Sequence, residues 1–268
     1  MIEIINELPP LPSSVSEIEK MYANPDASFE DIEKVINKDS FLTAEILKKA
    51  NSPFFGFSRR IISVKQAVSL FGKNNVRSMV LSTILSKTLK FNLSPYEMTE
   101  KDFMETTMLQ NAVAVKWSMK ERDKLNDKFS VAAFIFEIGK MLISKKILET
   151  KEEFSFKQKI DDKEYTSQNI IDDEKKEIGF STVEITAMIL DNWMFDLDIV
   201  DIIKNIDEPQ KAKEDNRYPS SVLKVIRSLV VLNGKITKKS VEEARFILKE
   251  EGLSEEVFNS IINSLEDE

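Results

Sequence analysis

The chain has 268 residues, which corresponds to one large domain or two modest ones and is long enough to bury a sizeable core. It contains no cysteine and no histidine, which excludes disulfides, thiolate zinc sites, iron–sulfur clusters, imidazole metal ligands and Ser-His-Asp triads. The net charge is −8, with 42% hydrophobic and 31% charged residues, a composition typical of a folded protein.

The sequence has neither of the common phosphate-binding loops and no membrane signal. Its six glycines lie too far apart for a Gly-rich nucleotide loop. No apolar run approaches the length of about 18 residues that a spanning helix needs, and the first seven residues carry acid where a signal peptide carries base. We therefore expect a cytoplasmic protein without a membrane span.

Apolar residues spaced three and four apart predict helices along the first 90 residues. Ser14 begins a capping-box pattern that predicts the first helix, and Ser28 begins the second. A third helix is predicted over 40–50. Ser63 and the next three residues form another capping box, after which Gly72 is expected as a C-cap. A long helix then runs to about Lys90, and a linker is predicted over 91–98.

Seven further helical patterns follow the linker, and one charged segment separates two of them. The segment 151–178 holds fifteen charged residues in 28 positions, which favours an exposed, solvated insertion. Trp193 is expected in the core. The predicted helices are 99–120, 128–148, 182–193, 196–206, 219–233, 238–251 and 254–265.

Six short motifs follow one another in the first half of the chain: LPPLP at 8–12, NPDAS at 24–28, INKDSFL at 36–42, ANSPFFG at 50–56, RIIS at 60–63, and QAV with LFG at 66–72. In this order and spacing they resemble the HDOD domain. Weaker similarity continues at 132–140, 177–182 and 190–200. The resemblance implies an all-α, two-lobed helical fold of a bacterial signal-transduction protein, with lobes at 1–95 and 96–268 and an insertion at 151–178.

The resemblance also implies a relationship to the HD phosphohydrolases, in which histidines and an aspartate hold metal ions that activate water. In this chain the matching positions carry other residues. One carboxylate among such neighbours cannot supply the ligands of a hydrolytic metal centre, so the resemblance implies a degenerate site without metal or other cofactor. We expect the surviving carboxylate, Glu137, to pair with a cation at the lobe junction. The degenerate positions are Gln110, Phe136, Glu137, Thr182 and Asn205.

Two acidic groups could hold a hard cation instead. One comprises Asp196, Asp198 and Asp201, and the other comprises residues 172–174. We favour structural roles for both, because acids complement the N-terminus of a helix and the second group lies in the charged segment.

Residues 46–96 contain nine positive and no negative side chains. This basic segment could attract a nucleotide, RNA or an acidic protein surface. The nucleic-acid interpretation is disfavoured because the cations form no single stripe and the whole chain is acidic. The preferred interpretation is that these cations neutralise the acidic second half of the molecule.

Within the basic segment, the adjacent pair Arg59 and Arg60 is distinctive because lysine is the default cation of this chain. We favour a structural role, with one arginine on helix carbonyls or on a ring, over ligand capture. Asn51 and Ser52 are likewise expected to cap the preceding helix and to turn the chain. The candidate ligand or partner contacts are Asn51, Ser52, Arg59, Arg60, Lys65 and Gln66.

The sequence thus predicts a non-catalytic regulatory protein that acts as a scaffold for a signalling partner. A sensor that binds an anionic nucleotide, such as a cyclic dinucleotide, without hydrolysis is the alternative. A metal-dependent phosphodiesterase is the third possibility, which the missing imidazoles oppose.

Overall fold

The computed structural model describes residues 8, 10, 11, 13–22, 24, 28–89, 92–125, 127–150, 156–157, 166–232 and 234–266. Within these ranges the regular elements are helical, apart from one isolated bridge between Val231 and Lys235. No helix in the same ranges has the length and apolarity needed to cross a membrane. The predicted all-α fold is therefore confirmed.

The first half contains α1 (Ser13–Tyr22), α2 (Phe29–Asn37), α3 (Ser40–Ala50) and α4 (Val64–Leu89). Ser28 caps α2 as predicted: its hydroxyl accepts from Asp31 N at 3.2 Å, and the Asp31 carboxylate accepts from Ser28 N at 3.0 Å. The first helix begins at Ser13, one residue before the predicted start at Ser14. Gly72 ends the first part of α4 as predicted: its φ of 81° and ψ of 161° are not helical, so α4 consists of two helical segments joined by a kink at this residue.

The second half contains α5 to α13: Glu100–Lys120, Asp127–Ile135, Gly139–Thr150, Ser167–Ile178, Thr182–Asn192, Leu197–Lys204, Glu214–Leu229, Lys238–Glu250 and Glu255–Glu266. The single helix predicted over 128–148 is two helices, α6 and α7, separated by a turn at 136–138. Helix α11 begins before Pro219 and contains it, because only the bond to the carbonyl of Asp215 in the first turn is lost.

The charged segment 151–178 is not simply a solvated loop. Its last twelve residues form α8, capped by Thr166, and bury Ile170, Ile171 and Glu174. Residues 151–155 and 158–165 of the predicted insertion, like Lys90 and Phe91, lie outside the described residues. A charge-rich stretch can still form a helix that buries one face.

The buried side chains form one continuous cluster through both predicted lobes. Helix α4 packs on α2 and α3 on one side and on α6 of the second half on the other. The predicted linker is itself part of this packing, because Leu93, Tyr96 and Met98 are buried. Trp193 is buried as expected. The two halves are therefore joined by core packing, with α4 as the shared element.

Candidate functional site

The turn between α6 and α7 carries Glu137 and is held against α9. The hydroxyl of Thr186 donates to the carbonyl of Phe136 at 2.9 Å and accepts from the N–H of Gly139, also at 2.9 Å. A Cβ at Gly139 would lie 2.2 Å from the carbonyl oxygen of Thr182, so only glycine permits this approach. The Phe136 side chain is buried in the core, and this residue contributes only its carbonyl.

Glu137 lies at the centre of a buried charge network and is only 5% exposed. Its carboxylate accepts from Lys140 Nζ, faces Arg227 Nε at 3.7 Å and lies 3.4 Å from Gln110 Nε2. Burial alone would raise the pKa of Glu137, but the charges of Lys140 and Arg227 outweigh it and hold that pKa below its ordinary value. The expected pairing of Glu137 with a cation is confirmed.

A second carboxylate, Glu174 on α8, is fully buried in the same network. It accepts from Thr182 N and Thr182 Oγ1, both at 2.6 Å, and from the hydroxyl of Tyr96 at 2.9 Å. Burial and the neighbouring Glu174 charge raise the pKa of Tyr96 well above its usual range, so the phenol stays protonated and donates.

Arg227 on α11 joins these carboxylates and is itself 5% exposed. Its Nη1 lies 2.6 Å from Asp207 Oδ1, and its Nη2 lies 3.9 Å from Glu174 Oε2. Asp207 also accepts from Ser181 Oγ at 2.9 Å. The buried charge network therefore comprises Glu137, Lys140, Glu174, Asp207 and Arg227, three negative and two positive side chains drawn from four parts of the chain.

The structure brings Gln110, Glu137 and Thr182 together, as the family resemblance implied. Asn205 does not join them: its amide donates to the carbonyl and carboxylate of Asp201 and ends α10. Asp207, two residues later, reaches the network instead. The acidic group at 196–201 is structural as expected, because Asp196 caps α10 by accepting from Asp198 N at 2.8 Å.

The loop between α3 and α4 is held by Asn51. Its amide donates to the carbonyls of Leu47 and Ile61 at 2.7 Å each, and its oxygen accepts from the N–H of Ile61 at 2.8 Å. Ser52 is buried and precedes a single 3₁₀ turn, Pro53–Phe55. Asn51 thus caps α3 as the sequence favoured, and its side chain is committed within the loop. Ser52 lies at the start of the turn, and its hydroxyl makes no capping hydrogen bond.

The rim of this loop carries the other candidate contacts. Arg59 and Arg60 are exposed and make no hydrogen bond, ion pair or ring contact with the residues that the structure describes. The favoured structural role for this pair is therefore wrong. Lys65 pairs with Glu30 at 3.2 Å, and the Gln66 oxygen accepts from Ile62 N at 3.0 Å.

Two further cations, together with Lys65, show where the charge of the basic segment is balanced. Lys48 pairs with Glu45 at 3.6 Å, and Arg77 binds Glu19 through two hydrogen bonds, with Nε 2.9 Å from Oε1. Together with Glu30, these carboxylates lie on α1 to α3. The ion pairs of Lys48, Lys65 and Arg77 are therefore made within the first half, and not with the acidic second half as the preferred interpretation had it.

Comparison with known proteins places this geometry in a family. Residues 8–209, three quarters of the chain, match the model of the HDOD domain. The chain belongs to the HDOD domain family. An uncharacterised protein of Treponema pallidum (strain Nichols) is 31% identical over 86 residues, a match that covers 32% of this chain and 17% of that protein's length.

Solved structures share the HDOD fold along nearly the whole chain. A Shewanella amazonensis SB2B protein, provisionally named a phosphohydrolase, has a TM-score of 0.68 at 18% identity and covers 99% of this chain and 93% of its own. An HDOD domain protein of unknown function from Geobacter sulfurreducens has a TM-score of 0.63 at 18% identity, with coverage of 97% and 89%. At these identities the comparison establishes the fold.

The metal ions of catalytic HD relatives do not fit the network of this HDOD protein. The oxygens of Glu137 and Glu174 are already bound by protein cations and hydrogen-bond donors, and Lys140 and Arg227 would repel a metal ion placed between them. Within the described ranges, no three carboxylates are arranged to hold a metal ion. Protein cations balance the charge of this site.

Four members of the network, namely Lys140, Glu174, Asp207 and Arg227, were not recognised in the sequence. Lys140 stands three residues after Glu137, a spacing that places both on one side of a helical turn and could have indicated the pair. Glu174 was assigned to solvated surface because its neighbours are charged. No local sequence pattern at Asp207 or Arg227 indicates that these two residues form a buried ion pair.

Proposed function

We propose that this HDOD protein is a non-catalytic regulatory protein of bacterial signal transduction that docks a partner protein in the cytoplasm. The observation that carries the proposal is a surface, the rim of the α3–α4 loop, formed by Phe57, Arg59, Arg60 and Ile62. Ile62 is 74% exposed, and Phe57 is exposed beside the two unpaired arginines.

This loop rim is held in shape before any partner arrives. Asn51 fixes the chain at Ile61, which is buried, while the Phe55 and Phe57 rings meet Phe71 edge-on with centroids 4.7 and 5.2 Å away. A surface that is ordered in the free protein loses little conformational entropy on binding. Arginine and aromatic side chains are enriched at the energetic centres of protein interfaces. The partner surface that fits is acidic with an apolar centre.

The proposal that the protein is not an enzyme is supported by the ion pairs of Glu137. A carboxylate that is held ionised by Lys140 and Arg227 has no proton to donate and no free oxygen for a metal ion. We expect no hydrolysis of bis-p-nitrophenyl phosphate or of cyclic dinucleotides in the presence of manganese. Turnover that disappears in Glu137→Gln would overturn this part of the proposal.

To test the docking proposal, the immobilised protein is used to capture partners quantitatively from lysate of the source bacterium. The captured protein is then purified, and its direct binding to wild type and variants is measured. We expect the triple variant with alanine at 59, 60 and 62 to lose that binding. A control variant with Met119→Ala and Phe246→Ala removes exposed apolar side chains elsewhere and should bind like wild type. Equal binding by wild type and the triple variant would contradict docking through the loop rim.

Replacing both Arg59 and Arg60 by lysine separates docking from nucleotide sensing. The charge is kept but the planar fork is lost, which should weaken binding of a nucleotide phosphate by on the order of 1 to 3 kcal/mol. Because neither arginine has a partner among the described residues, we expect an unchanged melting temperature. A cyclic dinucleotide that binds wild type and loses affinity in this variant would favour the sensor over the scaffold.

A further inference from the structure

A cavity of about 270 Å³ lies between the two halves of the molecule. Helices α3 and α4 form one wall, and α5 with the α6–α7 turn forms the other. At about 30 Å³ per water molecule, it has room for roughly nine waters. It is close to the lower end of the volumes, about 300 Å³ and above, that small-molecule sites have.

Much of the lining is aromatic or thioether in character. Such groups suit a planar ring, because rings pack edge-on or offset against each other and methionine sulfur contacts ring edges favourably. Phe41 stands at the entrance with Lys87 Nζ 4.1 Å from its ring centroid. The apolar lining residues are Phe41, Phe103, Met104, Met108, Phe134 and Ile138.

Asn111 gives the cavity an unsatisfied polar group. This residue lines the cavity, its side chain is only 4% exposed, and its Oδ1 accepts no hydrogen bond. Buried side-chain oxygens in folded proteins nearly always have a donor. A molecule in the cavity that carries an N–H or O–H would supply one.

Lys49, which lines the opposite wall, lacks a counter-ion. Its half-buried ammonium donates to Ser82 Oγ at 2.7 Å and to the Met79 carbonyl at 3.4 Å, and pairs with no carboxylate of the described residues. Glu45, the nearby acid, pairs instead with Lys48 at 3.6 Å. A cation removed from water without an opposite charge is unfavourable, and an anionic group in the cavity would compensate it.

The carboxylates that line the cavity do not exclude an anion. Glu137 lines the cavity but is neutralised from behind by Lys140 and Arg227. Lys87 also lines the cavity and adds a second positive side chain, which offsets part of the negative charge of Glu45 and Glu100.

We propose that the inter-lobe cavity binds a small aromatic carboxylate. Its carboxylate pairs with Lys49, its N–H or O–H donates to Asn111, and its ring packs among Phe103, Phe134 and the two methionines. This site uses none of the residues of the loop rim, so it goes beyond the proposed docking function and can fail or succeed separately from it.

Three indole compounds whose side chains are negative, neutral and positive test the proposal: indole-3-acetate, indole-3-acetamide and tryptamine. The protein is labelled at its ten methionine methyl groups with carbon-13, and the resonances are assigned by single Met→Leu substitutions. We expect indole-3-acetate to shift the resonances of Met104 and Met108. We expect about tenfold weaker binding of the uncharged amide and none of the cationic amine.

Two variants locate the interaction. Lys49→Met should abolish the preference for the acid over the amide, while Lys48→Met, which removes an exposed lysine from the next position, should leave it intact. Asn111→Leu should abolish binding of both indole-3-acetate and indole-3-acetamide while retaining the helical circular dichroism spectrum.

Several results would overturn the proposal. One is the absence of any methyl shift with indole-3-acetate at millimolar concentration. Others are a preference for the acid that survives in Lys49→Met, or shifts confined to exposed Met194 or Met119. The alanine variant of the loop rim should bind indole-3-acetate like wild type, so a failure of docking and a failure of the cavity proposal are distinguishable.

Discussion

Arg227 and Asp207 form a buried ion pair, with Nη1 2.6 Å from Oδ1, although twenty residues and most of α11 separate them. Through the same guanidinium, α11 meets Glu137 and Glu174, so one cation faces three carboxylates from different parts of the chain. Burial acts against the charged form of Arg227, but the three carboxylates outweigh it and keep its pKa above the ordinary value. This arrangement predicts how the domain responds when a member is removed.

Arg227→Leu should be strongly destabilising. The substitution leaves the buried Glu137 and Glu174 and the partly buried Asp207 with one cation, and breaking a buried ion pair in this way costs about 3 to 5 kcal/mol. Urea unfolding followed by circular dichroism measures the change. Arg217→Leu, at an exposed position of the same helix, is the control and should cost less than about 1 kcal/mol. Equal effects of the two substitutions would show that the buried charge network contributes little.

Glu137→Gln should lower stability in a manner that depends on pH. Because the folded-state pKa of Glu137 is below its ordinary value, its ionised form contributes stability above about pH 4.5, and this contribution is lost as the pH falls through the folded-state pKa. The stability difference between wild type and variant should therefore be present at neutral pH and shrink in acid. Urea midpoints at several pH values measure it, and a difference that grows in acid would contradict the ion pairing.

Lys49→Met should stabilise the protein near neutral pH. Burial lowers the pKa of Lys49 from 10.5 to about 7, so between these values the unfolded chain binds a proton that the folded protein does not. The free energy of unfolding therefore rises with pH across that window, and the destabilisation caused by the buried ammonium is complete below about pH 7. We expect the gain from Lys49→Met to be largest at or below pH 7 and to disappear near pH 10.5. Thermal melts of both proteins, with Lys48→Met as control, test this; a pH-independent gain would be inconsistent with it.

Gly139→Ala should disrupt the turn that holds Glu137. The added methyl would lie 2.2 Å from the carbonyl oxygen of Thr182 and 2.8 Å from the N–H of Thr186, and neither backbone group can move without displacing α9. A backbone shift or overpacking of this kind costs about 1 to 3 kcal/mol or more. The melting temperature measures the loss. If Gly139→Ala melts like wild type, the close approach of α7 to α9 is wrong.

The elements that the sequence predicted well are those whose cause is local. The helices that the sequence predicted from Ser28 and Thr99 each begin at a capping box between residues three apart, Ser28 with Asp31 and Thr99 with Asp102. The same holds for the end of α3 before Pro53. Gln110, Glu137 and Thr182 were found through the family resemblance, which encodes a shared arrangement that no single residue reveals.

The turn at 136–138 and the position of Glu174 depended on contacts across the fold. Apolar periodicity continues through 128–148, and only the approach of Gly139 to Thr186, 47 residues away, divides the helix. Glu174 lies among charged neighbours in the sequence, yet Tyr96 and Thr182 bury and bind it. The sequence by itself therefore determined where helices such as α2 and α5 begin, because hydrogen bonds within one turn decide it. Only the tertiary structure decided which charges are buried, because burial depends on what other helices bring to the same point.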